Sequence, residues 1–101
     1  MNKNGALKYK HENENGVMHY TTFNERLVAL SVLDSKKVEF INGGGKLEVA
    51  FDLKSKDFEF VAAEVVTEKS EVEEVYNLML EEDNTYFKDG FDALCVIKLL
   101  R

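Results

Sequence analysis

Val17-Met18-His19-Tyr20-Thr21-Thr22-Phe23, then Asn24-Glu25, then Arg26-Leu27-Val28-Ala29-Leu30-Ser31-Val32-Leu33 is the stretch that decides the fold. Both flanking runs are rich in β-branched and aromatic residues, which favour the pleated, half-buried surface of a strand. A gap of two polar residues turns the chain, so the two runs pair antiparallel; parallel neighbours need a long crossover. The second run is apolar on both faces and belongs in the middle of a sheet.

Working outward, the pattern repeats in both directions. Upstream, Leu7, Tyr9 and His11 alternate with Lys8 and Lys10, which predicts a short edge strand within the polar segment 1–16. Glu12-Asn13-Glu14-Asn15-Gly16 reads as a turn, with Asn15-Gly16 its strongest signal. Downstream, Asp34-Ser35-Lys36 reads as a turn and Lys37 to Asn42 as a third strand. Leu47, Val49, Phe51 and Leu53 alternate with Glu48, Ala50 and Asp52 at period two, a half-buried strand. Lys54-Ser55-Lys56-Asp57 turns the chain, and Phe58 to Val66 is the next strand.

The period changes only once. Val72, Val75, Tyr76 and Met79 recur at i, i+3, i+4 and i+7, which makes one apolar stripe on a helix. Ser70 with Glu73 fits a capping box at its start, and the helix ends near Glu82. Ala93 to Leu100 is a closing apolar strand. The expected fold is therefore mainly β (α+β), a single domain over 1–101. It is an antiparallel barrel of about six strands with one amphipathic helix before the last strand.

Composition removes several function classes. The chain has 101 residues and a net charge of −6, so phosphate backbones and anionic membranes repel it. No apolar run reaches membrane-spanning length and no secretory leader opens the sequence, so a cytoplasmic location is expected. Cys95 is the one cysteine, which excludes an intrachain disulfide and a cysteine zinc site. Its apolar neighbours mark it as a small buried hydrophobe rather than a nucleophile. The acidic residues around the helix form a solvated face, and no metal-ligand spacing emerges.

Four features are candidates for chemistry. Gly43-Gly44-Gly45-Lys46 is neither a P-loop nor a dinucleotide fingerprint. It reads either as a hairpin turn with a solvated lysine or as an anion-binding turn of backbone N–H groups beside Lys46. His19, on a strand, reads as structural or partly exposed rather than as a catalytic base. Ser31 has no nucleophile-elbow context. Tyr76, Tyr86, Phe87 and Phe91 cluster after the helix, either as packing or as a wall for a planar ligand.

Three stretches resemble one family. His19 to Phe23 with Leu27 to Leu33 and Val38-Glu39-Phe40-Ile41-Asn42 is similar to the opening three-strand meander of the pyridoxamine 5′-phosphate oxidase-like, FMN-binding split-barrel group. Gly45-Lys46 resembles that group's small-residue-then-lysine step at the flavin phosphate. Phe60 to Val66, the helix to Met79, Tyr86-Phe87 and Leu94 to Leu99 resemble its later strand, helix and closing strand. The resemblance implies a split barrel and a homodimer with flavin at the subunit interface. It implies a flavoprotein, a flavin-dependent oxidoreductase acting on a small molecule. By position it sets Lys46 and Gly45 at the phosphate and Thr21, Thr22 and Asn42 near the flavin or its ribityl chain. Arg26 is the one other early guanidinium. Glycine stands where the group usually has a serine beside the lysine, and the short helix usual after that lysine is replaced by a hairpin. The alternative is a cofactor-free dimeric module on the same fold that binds a small ligand or a partner.

Overall fold

The computed structural model describes residues 3–100; the ends of the expected domain, Met1, Asn2 and Arg101, lie outside them. Six strands and two helices follow in the order β1 (Gly5–His11), β2 (Glu14–Phe23), β3 (Arg26–Val32), α1 (Lys36–Asn42), β4 (Leu47–Ala50), β5 (Glu59–Val66), α2 (Lys69–Glu81) and β6 (Leu94–Leu100). All pairings are antiparallel, and the strands close into a barrel in the order β1-β2-β3-β6-β5-β4. Closure removes sheet edges.

The β2–β3 hairpin is the expected one. Asn24 and Glu25 both have positive φ, 50° and 65°, as a two-residue primed turn requires. Register runs from Thr21↔Val28 to Phe23↔Arg26. Inside the barrel, Leu7, Met18, Tyr20, Ala29, Leu47, Val49, Val61, Ile97 and Leu99 form one buried cluster, which also holds Cys95. The period-two sides of six strands converge there. A second cluster seals α2 against β3 and β6: Val72, Val75, Tyr76 and Met79 pack on Val28, Leu30, Leu94 and Val96. The predicted apolar stripe is thus the buried one, and Cys95 is fully buried.

Several local expectations fail for identifiable reasons. β1 is not an edge strand: it pairs with β2 on one side and β4 on the other. Its hairpin turns at Glu12-Asn13, with Glu12 at φ 49°, and not at Asn15-Gly16, which lies inside β2. Gly16 is opposite Tyr9, and a Cβ there would come within 2.8 Å of the tyrosine hydroxyl, so this glycine serves close packing. β4 stops at Ala50; the Asp52 carboxylate accepts from the Lys54 N–H at 2.9 Å and the Asp52 carbonyl from the Ser55 N–H, a turn that takes Leu53 out of the strand. The capping box is absent: Glu68, not Ser70, is the N-cap of α2, it makes no side-chain cap bond, and the Ser70 hydroxyl donates to the Glu68 carboxylate.

The largest correction is Lys37 to Asn42, which is the helix α1 and not a third strand. Ser35 is its N-cap, with its hydroxyl accepting from the Val38 N–H at 3.3 Å. Val38 and Ile41, one turn apart, are the buried face. The β-forming character of Val38, Phe40 and Ile41 is overridden by the cap at each end and by burial of that face. At the C-terminal end, the Gly44 N–H donates to Ile41 O and the Gly45 N–H to Phe40 O, both at 3.0 Å, with Gly44 at φ 93°. That is the Schellman pattern, and it explains the glycines. The N–H groups of all three glycines donate to helix carbonyls, so the segment is a helix stop rather than a hairpin turn, and the alternative anion-binding reading finds no free glycine donors.

Candidate functional site

Where β2 and β3 part from each other beyond Thr21↔Val28, beside the start of α1 and the end of α2, the surface opens into a cleft of about 140 Å³. Val17, Met18 and His19 of β2 form one wall, and Leu30, Ser31 and Val32 of β3 form the floor. Ser35 and Lys37 come from the first turn of α1, and Met79, Thr85, Tyr86 and Phe87 from α2 and the loop after it.

The polar groups of this cleft are organised. Ser31 and Ser35 hydroxyls lie 3.1 Å apart. Thr85 accepts from the Phe87 N–H at 3.0 Å, which shapes the aromatic loop. His19 Nδ1 is 2.7 Å from Asn84 Oδ1, and Tyr86 meets the imidazole edge-on at 4.3 Å between ring centroids.

Lys37 is the cleft's cation. It is half-buried, and its ammonium lies 4.9 Å from the centroid of the Tyr9 ring. Burial pulls its pKa below the ordinary lysine value, and the nearby Cys95 opposes that shift. Burial likewise raises the Cys95 thiol, with Lys37 opposing. Among the described residues no carboxylate pairs with Lys37. A half-buried ammonium beside a ring, with no carboxylate partner among the described residues, suits an anion in the cleft.

A larger groove of about 740 Å³ runs along α1 from Lys36 to the glycines 43 to 45, facing the β1–β2 turn from His11 to Glu14. Its three carboxylates outnumber Lys36, which already pairs with Glu14 at 3.1 Å. Such a surface repels phosphate. His11 is buried there between the Tyr9 and Phe40 rings, with Nδ1 unpartnered. Among the described residues no group of three His, Cys, Asp or Glu side chains could hold a metal ion, and no helix is long and apolar enough to cross a membrane.

The residues expected from sequence fall into separate places. Asn42 and Gly45 sit at the C-terminal end of α1, with Asn42 exposed, and Lys46 is exposed just before β4. Thr21 is fully buried with its hydroxyl unpartnered, and Thr22 donates to the Lys3 carbonyl at 2.7 Å. Arg26 is exposed at the β2–β3 turn, in a groove with Glu64, Glu71 and Lys98. Lys46 lies past the His11 end of β1 and Thr21 past its Gly5 end. At strand rise that separates Lys46 from Thr21 by roughly 25 Å within one chain. Sequence reasoning missed Ser35 and Lys37. The signal was present: a serine followed three and six residues later by Val38 and Ile41, and then by glycines, is a capped helix.

No family model matches the chain, and no curated protein matches it by sequence. Comparison of structures does find relatives. A Listeria innocua protein provisionally named pyridoxamine 5′-phosphate oxidase superposes with a TM-score of 0.65 at 16% identity, covering 98% of this chain and 83% of that one. General Stress Protein 26 from Bacillus anthracis gives a TM-score of 0.60, also at 16% identity, covering 96% and 78%. The likeness extends over nearly the whole described chain, and with the closed six-stranded barrel it establishes the architecture: this chain has the pyridoxamine 5′-phosphate oxidase-like fold.

Proposed function

We propose that this chain binds a phosphorylated planar ligand of the flavin mononucleotide class in the cleft between β2, β3 and α1, and that Lys37 is the cation for its phosphate. The observation that carries this reading is Lys37 itself, a half-buried ammonium without a carboxylate partner, beside two hydroxyls and an aromatic loop. Phosphate takes a cation with several donors, and a flat ring takes an apolar slot. Ser35 with Lys37 also supplies the serine-and-lysine pair that is missing at Gly45-Lys46. Flavin, when bound, supplies electron transfer, and the chain's side chains hold and orient it. An oxidoreductase acting on a small molecule is the activity that follows.

A cleft of about 140 Å³ is smaller than the several hundred Å³ of an ordinary ligand pocket. Its rim is apolar and exposed: Val17, Val32 and Tyr86 are 44%, 38% and 70% accessible. A second copy seated on this rim would deepen the cleft and cover the rim, which supports a homodimer.

The test is the visible spectrum of purified protein after saturation with FMN and removal of free dye, with the mass measured by light scattering on the same sample. A retained, shifted flavin band on a dimer is the expected result. A colourless protein with its fold intact by circular dichroism would end the flavin reading and favour the cofactor-free ligand-binding or interaction module.

A further inference from the structure

The cleft contains a side chain whose hydrogen-bonding direction is determined by the fold. α2 ends in a Schellman turn: the Asp83 N–H donates to Leu80 O and the Asn84 N–H to Met79 O, both at 3.0 Å, with Asp83 at φ 52°. This fixes the backbone of Asn84. Its side-chain amide then donates to two barrel carbonyls, Tyr20 O at 3.0 Å and Gly5 O at 3.2 Å. A carbonyl only accepts, so the NH₂ group must face them and Oδ1 must face His19. Because Asn84 Oδ1 can only accept, His19 Nδ1 carries the proton across the 2.7 Å contact. The neutral imidazole consequently has its lone pair on Nε2. Among the described residues that atom has no hydrogen-bond partner, and it is not among the buried unpartnered atoms, while the ring lines the cleft beneath Tyr86.

We propose that His19 is a directional hydrogen-bond acceptor of the cleft, held as the Nδ1–H tautomer by Asn84, and that it selects ligands presenting an N–H or O–H to Nε2. Asn84 is the positioning residue. This deepens the reading of the cleft as a ligand site and rests on it. The cleft then has two recognition poles of opposite kind. Lys37 attracts an anion, and His19 accepts from a neutral donor, which distinguishes a ring bearing a polar N–H edge from a purely apolar ring.

The experiment is a long-range ¹⁵N–¹H correlation spectrum of the imidazoles in the labelled full chain, without ligand and during titration with FMN. The expected result is an unprotonated Nε2 resonance for His19 in the free protein that moves on saturation. Asn84→Ala should lose the single tautomer with the barrel still folded. His19→Phe, which keeps a ring against Tyr86, should weaken FMN binding by about 2- to 10-fold, the worth of one neutral hydrogen bond. A neutral imidazole carrying its proton on Nε2 in the free protein would overturn the assignment, as would an Nε2 resonance unmoved by saturating FMN. If FMN does not bind at all, the flavin reading fails separately. The tautomer of the free protein then decides alone: Nδ1–H retained, and lost in Asn84→Ala, supports the assignment, and Nε2–H ends it.

Discussion

The two helices end in the same backbone motif and put it to different uses. α1 closes at Gly43-Gly44-Gly45, with glycine at the left-handed position; α2 closes at Glu82-Asp83-Asn84, with an aspartate there. Both make the same paired bonds back to the helix. After α1 the next residue, Gly45, only makes room: a Cβ would come within 2.4 Å of the Phe40 ring, which stacks on His11. After α2 the corresponding residue, Asn84, reaches across to β1 and β2 and orients His19 in the cleft. The conspicuous glycine run is a helix stop, whereas the inconspicuous Asp83-Asn84 joins fold to site. Glycine enrichment reports a backbone requirement and says nothing about which neighbouring side chain has chemistry to do.

The same contrast separates the two lysines at the ends of α1, and substitutions there test it with the largest expected effect. Lys37→Met keeps the bulk and removes the charge; FMN affinity should fall about 10- to 100-fold, as loss of a charge-assisted hydrogen bond predicts. Lys46→Ala should change it less than about 2-fold, within the small range of an exposed charge. Titration of both variants under identical salt decides between them, and the reverse ranking would move the phosphate to the glycine turn.

Next in size are the glycines. Gly45→Ala should destabilise by about 1–3 kcal/mol, since the Phe40 ring must shift off His11. Gly44→Ala meets nothing within 4 Å, so only its backbone conformation opposes the change, at roughly 1–2 kcal/mol. Urea unfolding measures both, and FMN affinity should be unchanged in each. A loss of affinity in either would show that this end of α1 takes part in binding.

The smallest effect concerns pH. The folded pKa of Lys37 lies below its ordinary value of 10.5, so between the two the unfolded chain holds the extra proton. The Lys37 contribution to ligand-free stability therefore rises with pH across that window. Cys95, raised above 9.0, and Tyr9, raised above 10.0 by burial and then by Glu14, act in the opposite sense above those values. In a Cys95→Ala background, the stability of the Lys37-containing chain minus that of its Lys37→Met variant should increase from neutral to alkaline pH. A flat difference would place Lys37 in water.

The sequence by itself determined much of the architecture. Period-two runs and the two-residue Asn24-Glu25 gap specify antiparallel pairing, and Val72, Val75, Tyr76 and Met79 specify the buried face of α2, because each pattern admits one way to bury its apolar side. Buried Cys95 and the six-stranded barrel were legible for the same reason. Only the tertiary structure decided the rest. Val38-Glu39-Phe40-Ile41 carries strand-forming residues, and its helical state depends on a serine cap, a Schellman turn and a buried face. The serine, the i, i+3 apolar pair and the glycine stop are written in the sequence, but the strand propensity of Val38, Phe40 and Ile41 competes with them, and burial of the Val38–Ile41 face decides between the two. The candidate site was hidden for a further reason. His19, the Ser35–Lys37 turn and Asn84 are far apart in sequence, and they meet because the closed barrel brings the end of α2 beside β1 and β2 while the first turn of α1 brings Lys37 to the same cleft, over the Tyr9 ring. Proximity of that kind is a product of long-range pairing, which no local pattern encodes.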